Sequence, residues 1–235
     1  MVSGLKILVT GSKGFIGKNL TAELRNQGYT DIYYFDRNTD EKLLDEYVID
    51  CDFVFHLAGV NRPESEKEFM EGNFGFTSRL LDLLKEHNNT CPIMLSSSIQ
   101  AELDNPYGQS KKAGEDLLFA YGQETGAKVL VYRFPNVFGK WCRPNYNSVI
   151  ATFCHNIARD LPIKVNNREA VLNLVYIDDV VEELINALEG RETKSGAFCI
   201  VPVVHTITLG KSRVGKIGLS PIRQTPLRKN YIVRI

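Results

Sequence analysis

The 235-residue chain is long enough for one α/β unit with a small appendage and a sizeable buried core. With 43% apolar and 24% charged residues, its composition is ordinary for a globular protein, and no apolar run approaches the roughly 18 residues of a membrane span. Basic and acidic residues balance at 28 each, which offers no ground for a nucleic-acid role.

No signal peptide precedes the first predicted strand, so the expected compartment is cytoplasmic. The five cysteines, Cys51, Cys91, Cys142, Cys154 and Cys199, are scattered and never form Cys-x-x-Cys. Reduced thiols are expected, with no metal site and no disulfide frame.

In chain order, Leu5 to Val9 reads as a buried strand, followed by the turn Thr10-Gly11-Ser12-Lys13-Gly14-Phe15-Ile16-Gly17. Lys18 to Gln27 then places Leu20 and Leu24 at helical spacing. Strand, glycine turn and helix together suit a dinucleotide pyrophosphate. One glycine permits the turn, another lets the backbone approach the phosphates, and a third lets helix and strand pack closely. The helix amino terminus offers N–H groups and a positive dipole end to the anion. Gly11, Lys13, Gly14, Phe15, Ile16 and Gly17 are therefore candidate cofactor contacts.

A second strand, Ile32 to Phe35, ends at Asp36-Arg37. An acid there suits the ribose hydroxyls of NAD, whereas an arginine suits the 2′-phosphate of NADP. Lys13 and Arg37 against Asp36 favour NADP(H), with NAD(H) as the alternative. Asn38 to Cys51 carries Leu43, Leu44 and Tyr47 at helical spacing and leads into a buried strand, Asp52 to Gly59. The small residues at its end, with Leu57, Ala58 and Gly59, let the backbone lie against a cofactor. His56, alone in an apolar strand, reads as a satisfied core residue. Asn73 is expected to begin the helix that runs through Leu80, Leu81, Leu83 and Leu84.

Ile93 to Ser98 is an apolar strand ending in three hydroxyls, and Tyr107-Gly108-Gln109-Ser110-Lys111 opens a helix. Tyr107 and Lys111, four apart, share one helix face. An ammonium beside the phenol is expected to favour the phenolate and lower a pKa that starts near 10. A serine at the strand end can hydrogen-bond a substrate oxygen where charge develops. Ser98 is the first choice, Ser97 the second, and Ser96 is expected to face the core. Val129 to Tyr132 is a further strand, followed by Arg133-Phe134-Pro135-Asn136-Val137-Phe138-Gly139. In Tyr176-Ile177-Asp178-Asp179-Val180 the acidic pair either orders a substrate lobe or simply caps a helix.

These motifs resemble the extended short-chain dehydrogenase/reductase superfamily, whose fold is a Rossmann-type doubly wound parallel sheet with a small C-terminal substrate lobe. The resemblance implies Ser98, Tyr107 and Lys111 as the catalytic set, with Lys111 also on the nicotinamide ribose. It places Pro135 beside the nicotinamide and Asn136 on a nucleotide-sugar diphosphate, and it has Asn73 support the active-site backbone and count among the cofactor-binding residues. It also implies a homodimer. His56 to Pro63, Ser96 to Ala101 and above all Asn136 to Val149 resemble the CapF type of capsule and O-antigen enzymes over roughly residues 5–210. That narrower resemblance implies NADPH-dependent reduction of the C4 ketone of a UDP-2-acetamido-2,6-dideoxy-hexos-4-ulose. The product would be UDP-N-acetyl-6-deoxy-L-talosamine, on the route to UDP-N-acetyl-L-fucosamine. Asn136, Asn147 and Arg168 are its candidates for holding the UDP-sugar. The rival readings are a nucleotide-sugar C4 epimerase, a 4,6-dehydratase, and a truncated non-catalytic NADP-binding protein. A dehydratase would follow its serine with an acidic pair, where this chain has Ile99 and Gln100.

The expected division is an NADP-binding domain over 1–210, its substrate lobe mainly 140–210, and an atypical segment over 211–235. After Glu192 no acid appears, while Lys211, Arg213, Lys216, Arg223, Arg228, Lys229 and Arg234 are basic. Gly215, Gly218, Pro221 and Pro226 break the amphipathic helix that the CapF type has there, ahead of its cupin domain. Two origins are open: a shifted reading frame or a natural flexible basic tail.

Overall fold

The computed structural model describes residues 4–210; the basic segment 211–235 lies outside the described residues. β1 (Ile7–Thr10) is buried along its whole length, as an apolar strand covered on both faces must be. The glycine turn leads into α1 (Phe15–Asn26), and β2 (Ile32–Phe35) pairs parallel to β1. α2 (Glu41–Asp50), capped by the Asp40 carboxylate on the Lys42 N–H, returns the chain to β3 (Phe53–His56) on the other side of β1. This change of side is the topological switch. The carboxyl ends of β1 and β3 open a crevice of the kind where doubly wound sheets bind ligands.

α3 (Lys67–Phe69) runs through a wide π turn, Met70–Gly75, into α4 (Phe76–Glu86). The helix thus begins before Asn73, which sits inside the wide turn rather than starting it. β4 (Ile93–Ser98) ends in a 3₁₀ turn, Ile99–Glu102, ahead of α5 (Pro106–Thr125). α5 carries strong local signals: the Asn105 side chain accepts from the Gly108 N–H at 2.8 Å, Pro106 occupies the first turn, and left-handed Gly126 closes the helix.

Beyond β5 (Val129–Phe134) come β6 (Asn136–Phe138), α6 (Val149–Ile157) and β7 (Val171–Tyr176). α7 (Ile177–Leu188), β8 (Lys194–Ser195), β9 (Phe198–Cys199) and β10 (His205–Thr208) complete the described chain. The main sheet has the order β2-β1-β3-β4-β5-β9-β8, parallel except for β8, and a three-stranded sheet has the order β10-β7-β6. One face of the main sheet packs on α1 and α7 through Leu20, Leu24, Val180 and Leu184. The other packs on α2, α4 and α5 through Leu44, Leu80, Leu84 and Leu118. Residues 140–210 therefore serve two bodies: β7 and β10 join β6 in the small sheet with α6 packed on it, while α7 and β9 belong to the main core.

Among the described residues, no helix is long and apolar enough to cross a membrane, and no group of His, Cys, Asp and Glu has metal-ligand geometry. All five cysteines are free, yet folding brings Cys51 and Cys91 together at 3.8 Å between sulfurs, a proximity invisible in their spacing.

Candidate active site

The carboxyl ends of β1, β3, β4 and β5 border a cleft of about 780 Å³. Its phosphate-sized end is the glycine turn. Gly11 stands at φ +70°, a conformation that disfavours any side chain, and a Cβ on Gly17 would lie 2.3 Å from the Gly11 carbonyl oxygen. Gly14 precedes α1 without a side-chain cap, so the first N–H groups of the helix are left to a ligand. Gly11, Lys13, Gly14, Phe15, Ile16 and Gly17 all line the cleft, as do Leu57, Ala58 and Gly59 after β3 and Pro135 after β5. Lys13, Lys18, Lys111 and Arg143 contribute four cations to the wall, and no carboxylate joins them among the described residues. A cleft of this charge and shape fits an anionic dinucleotide.

Ser98, Tyr107 and Lys111 all line this cleft. The Ser98 Oγ accepts from the Gln100 N–H at 3.2 Å, which leaves its own O–H available to donate. Ser97 points to the opposite side, as strand alternation requires, and donates to the Glu115 carboxylate, which Arg133 also grips at 2.9 and 2.6 Å. Ser97 also borders the cleft, but its hydroxyl is committed to Glu115. Ser96 belongs to the cleft lining rather than facing only the core, and its carbonyl accepts from Lys111 Nζ at 3.1 Å.

Lys111 Nζ lies 5.9 Å from the centre of the Tyr107 ring, and Phe69 packs on that same ring at 5.5 Å between centroids. Burial drives the Lys111 ammonium down to about 8, with the Glu115 charge pulling in the opposite direction. The Tyr107 phenol is raised, because burial outweighs a hydrogen bond from Ser98. The expected lowering by Lys111 is thus absent from the protein alone. A raised phenol stays protonated at neutral pH, which is the state a proton donor needs.

Four sequence candidates stand off the cleft wall. Asp36 is turned toward the glycine turn, where its carboxylate accepts from the Ser12 hydroxyl and from the Lys13 N–H at 2.9 Å. Arg37 is exposed beside it. Asn73 is buried and bridges Val60, through N–H and carbonyl at 2.9 and 3.1 Å, to Ser110 at 3.0 Å, so it braces the backbone behind Gly59. Arg168 is exposed outside the cleft, its carbonyl accepting from the Gly210 N–H. Asn136 and Asn147 do line the wall. His56 is fully buried with both ring nitrogens engaged, by Thr10 at 2.8 Å and Thr77 at 2.9 Å, and burial lowers it to about 3. Asp178 supplies no cap; it pairs with Lys140 at 2.7 Å and ties α7 to the 139–148 segment.

The sequence reading missed Glu115, Asn61 and Arg143. Glu115 follows Lys111 by one helical turn, a spacing that was available as a signal; the cleft positions of Asn61 and Arg143 depend on how their loops fold back.

The sequence profile of the NAD dependent epimerase/dehydratase family matches residues 7–200. The chain belongs to this family. Its members include a "UDP-2-acetamido-2,6-beta-L-arabino-hexul-4-ose reductase" of Pseudomonas aeruginosa, 46% identical over 88% of this chain and 55% of that protein. The crystal structure of the capsular polysaccharide assembling protein CapF from Staphylococcus aureus superposes with a TM-score of 0.81 at 49% identity, covering 89% of this chain and 57% of that one. "UDP-glucuronate 4-epimerase 1" of Arabidopsis thaliana is more distant, at 27% identity over 82% of this chain and 57% of that protein. As a member of the epimerase/dehydratase family the chain thus spans little more than half the length of these relatives.

Proposed function

We propose that this protein reduces the C4 ketone of a UDP-2-acetamido-2,6-dideoxy-hexos-4-ulose with NADPH, for surface-polysaccharide synthesis. The observation that carries the reading is the meeting of Ser98, Tyr107 and Lys111 in one cleft with the glycine turn. The similarity to the Pseudomonas aeruginosa reductase and to CapF supports the sugar. Among the described residues the cleft wall holds no carboxylate to protonate a C6 hydroxyl, which disfavours a dehydratase.

The glycine turn and the start of α1 would hold the cofactor's pyrophosphate, with Leu57 to Gly59 and Pro135 along its nicotinamide side. When bound, NADPH supplies the hydride. NADP(H) is preferred over NAD(H) because Asp36 is already engaged by Ser12 and Lys13, while the Lys13 and Arg37 side chains have no carboxylate partner among the described residues. Ser98, whose Oγ accepts from the Gln100 N–H, donates a hydrogen bond to the ketone oxygen and keeps its proton. Tyr107, held protonated by burial, delivers a proton to the same oxygen as charge develops there. Lys111 keeps a positive charge beneath the phenol and stabilises the phenolate that remains.

The test is NADPH oxidation with the UDP-4-keto-6-deoxy sugar, comparing the native chain with Tyr107→Phe. The expected loss is about 100- to 10,000-fold in turnover with NADPH binding retained. No oxidation by the native chain refutes the reductase reading, and equal rates remove Tyr107 from its role.

A further inference from the structure

We propose that Arg143 and Arg62 form the subsite that takes the diphosphate of a nucleoside diphosphate. The inference rests on the nucleotide-sugar reading above and names the residues that would carry it. Three of the four cations on the cleft wall have a position that explains them: Lys13 and Lys18 belong to the glycine turn and α1, and Lys111 lies beneath Tyr107. Arg143 does not. It is carried by the segment after β6, far in sequence from the turn that suits the cofactor's pyrophosphate.

Arg62 is not itself on the cleft wall but is held against it by two residues that are, Asn147 and Tyr146. Its Nε donates to Asn147 Oδ1 at 2.8 Å, and Asn147 lines the cleft. Both guanidinium groups lie over the ring of Tyr146, at 5.3 Å and 5.5 Å from its centre. Neither is paired with a carboxylate among the described residues, unlike Arg79, Arg133 and Arg191. Two like charges gathered around one aromatic ring repel each other, and a ring quadrupole offsets only part of that. An anion of about two charges would complete the arrangement. Guanidinium forks match phosphate oxygens bidentately, so a diphosphate is the group of the right charge and shape. Arg168, the sequence candidate for this role, is also off the cleft wall and, among the described residues, has neither the hydrogen bond to Asn147 nor the contact with Tyr146 that tie Arg62 to it.

The chain's single tryptophan, Trp141, lines the same cleft, so its fluorescence reports binding directly. The experiment titrates UDP alone and, separately, NADPH into the native 235-residue chain and into Arg143→Ala, Arg62→Ala and the double variant. Both side chains are exposed, so the variants should fold, and NADPH binding checks that they do. Arg143→Ala and Arg62→Ala should each weaken UDP about 10- to 100-fold and flatten its salt dependence, with NADPH affinity within about twofold. Native affinity for UDP in the double variant overturns the proposal. So does a loss of NADPH affinity equal to that of UDP, which would place the pair in the cofactor site. A native chain that binds NADPH but not UDP refutes the nucleotide-sugar reading itself, a result distinct from either.

Discussion

Lys111→Met is expected to make the protein more stable, although it removes a residue of the proposed catalytic set. Lys111 is buried, and its ammonium is pushed from an ordinary value of 10.5 down to about 8 by the loss of water around it. At 1.36 kcal/mol per unit, holding the charged form inside the fold costs roughly 3 kcal/mol at neutral pH. Methionine has a similar length and no charge, so it relieves that cost. It also forfeits the bond to the Ser96 carbonyl at 3.1 Å, about 1 kcal/mol. The net gain at pH 7 is about 2 kcal/mol. Its pH dependence identifies the cause. Because the folded value lies below the unfolded one, the unfolded chain binds the additional proton between about pH 8 and 10.5. The native fold therefore gains about 3 kcal/mol as pH rises through that window, so the variant's advantage vanishes and reverses to about 1 kcal/mol in the native protein's favour, the value of the lost bond to Ser96. Urea unfolding of both proteins at pH 7, 9 and 10.5 measures this. A variant less stable than the native protein at pH 7, or a difference that does not change with pH, refutes the reasoning.

Neighbouring serines should separate cleanly. Ser98→Ala should lower turnover of the 4-keto sugar about 100-fold with little change in the melting temperature. Ser97→Ala should leave turnover near native but cost about 1–3 kcal/mol in urea unfolding, because the buried Glu115 loses a donor. Gly17→Ala brings a methyl group to 2.3 Å from the Gly11 carbonyl oxygen; the expected result is a stability loss of about 1–3 kcal/mol with weakened NADPH binding in a fluorescence titration. Arg37→Ser should lower the NADPH-over-NADH ratio of kcat/KM by about tenfold, and an unchanged ratio would remove Arg37 from cofactor choice.

Much of the fold was legible because its signals are local. β2 runs over the residues its apolar pattern predicts, and α2 occupies the short segment where Leu43, Leu44 and Tyr47 show helical spacing. α5 opens where the Tyr107 to Lys111 motif puts it, and the structure shows Asn105, Pro106 and Gly126 setting its ends, with Tyr107 in the first turn. Asn73 was misplaced because a wide π turn keeps one helix running where apolar periodicity suggests a start. Arg168 failed as a candidate because guanidinium chemistry identifies an anion ligand without saying which wall the loop will face.

What the sequence by itself determined is the family and the order of its chemical parts: a glycine turn after an apolar strand, then a serine-ended strand, then Tyr107 and Lys111 on one helix face. These are contiguous patterns, and backbone stereochemistry reads them within a few residues. Only the tertiary structure decided which members of each pattern face the cleft. Strand alternation sends Ser97 to Glu115 and leaves Ser98 with Tyr107. Burial raises the phenol that a neighbouring ammonium was expected to lower. The approach of Arg62 to Tyr146 spans loops far apart in the chain. Desolvation and long-range contact depend on what the rest of the chain packs around a residue, and no local pattern carries that information.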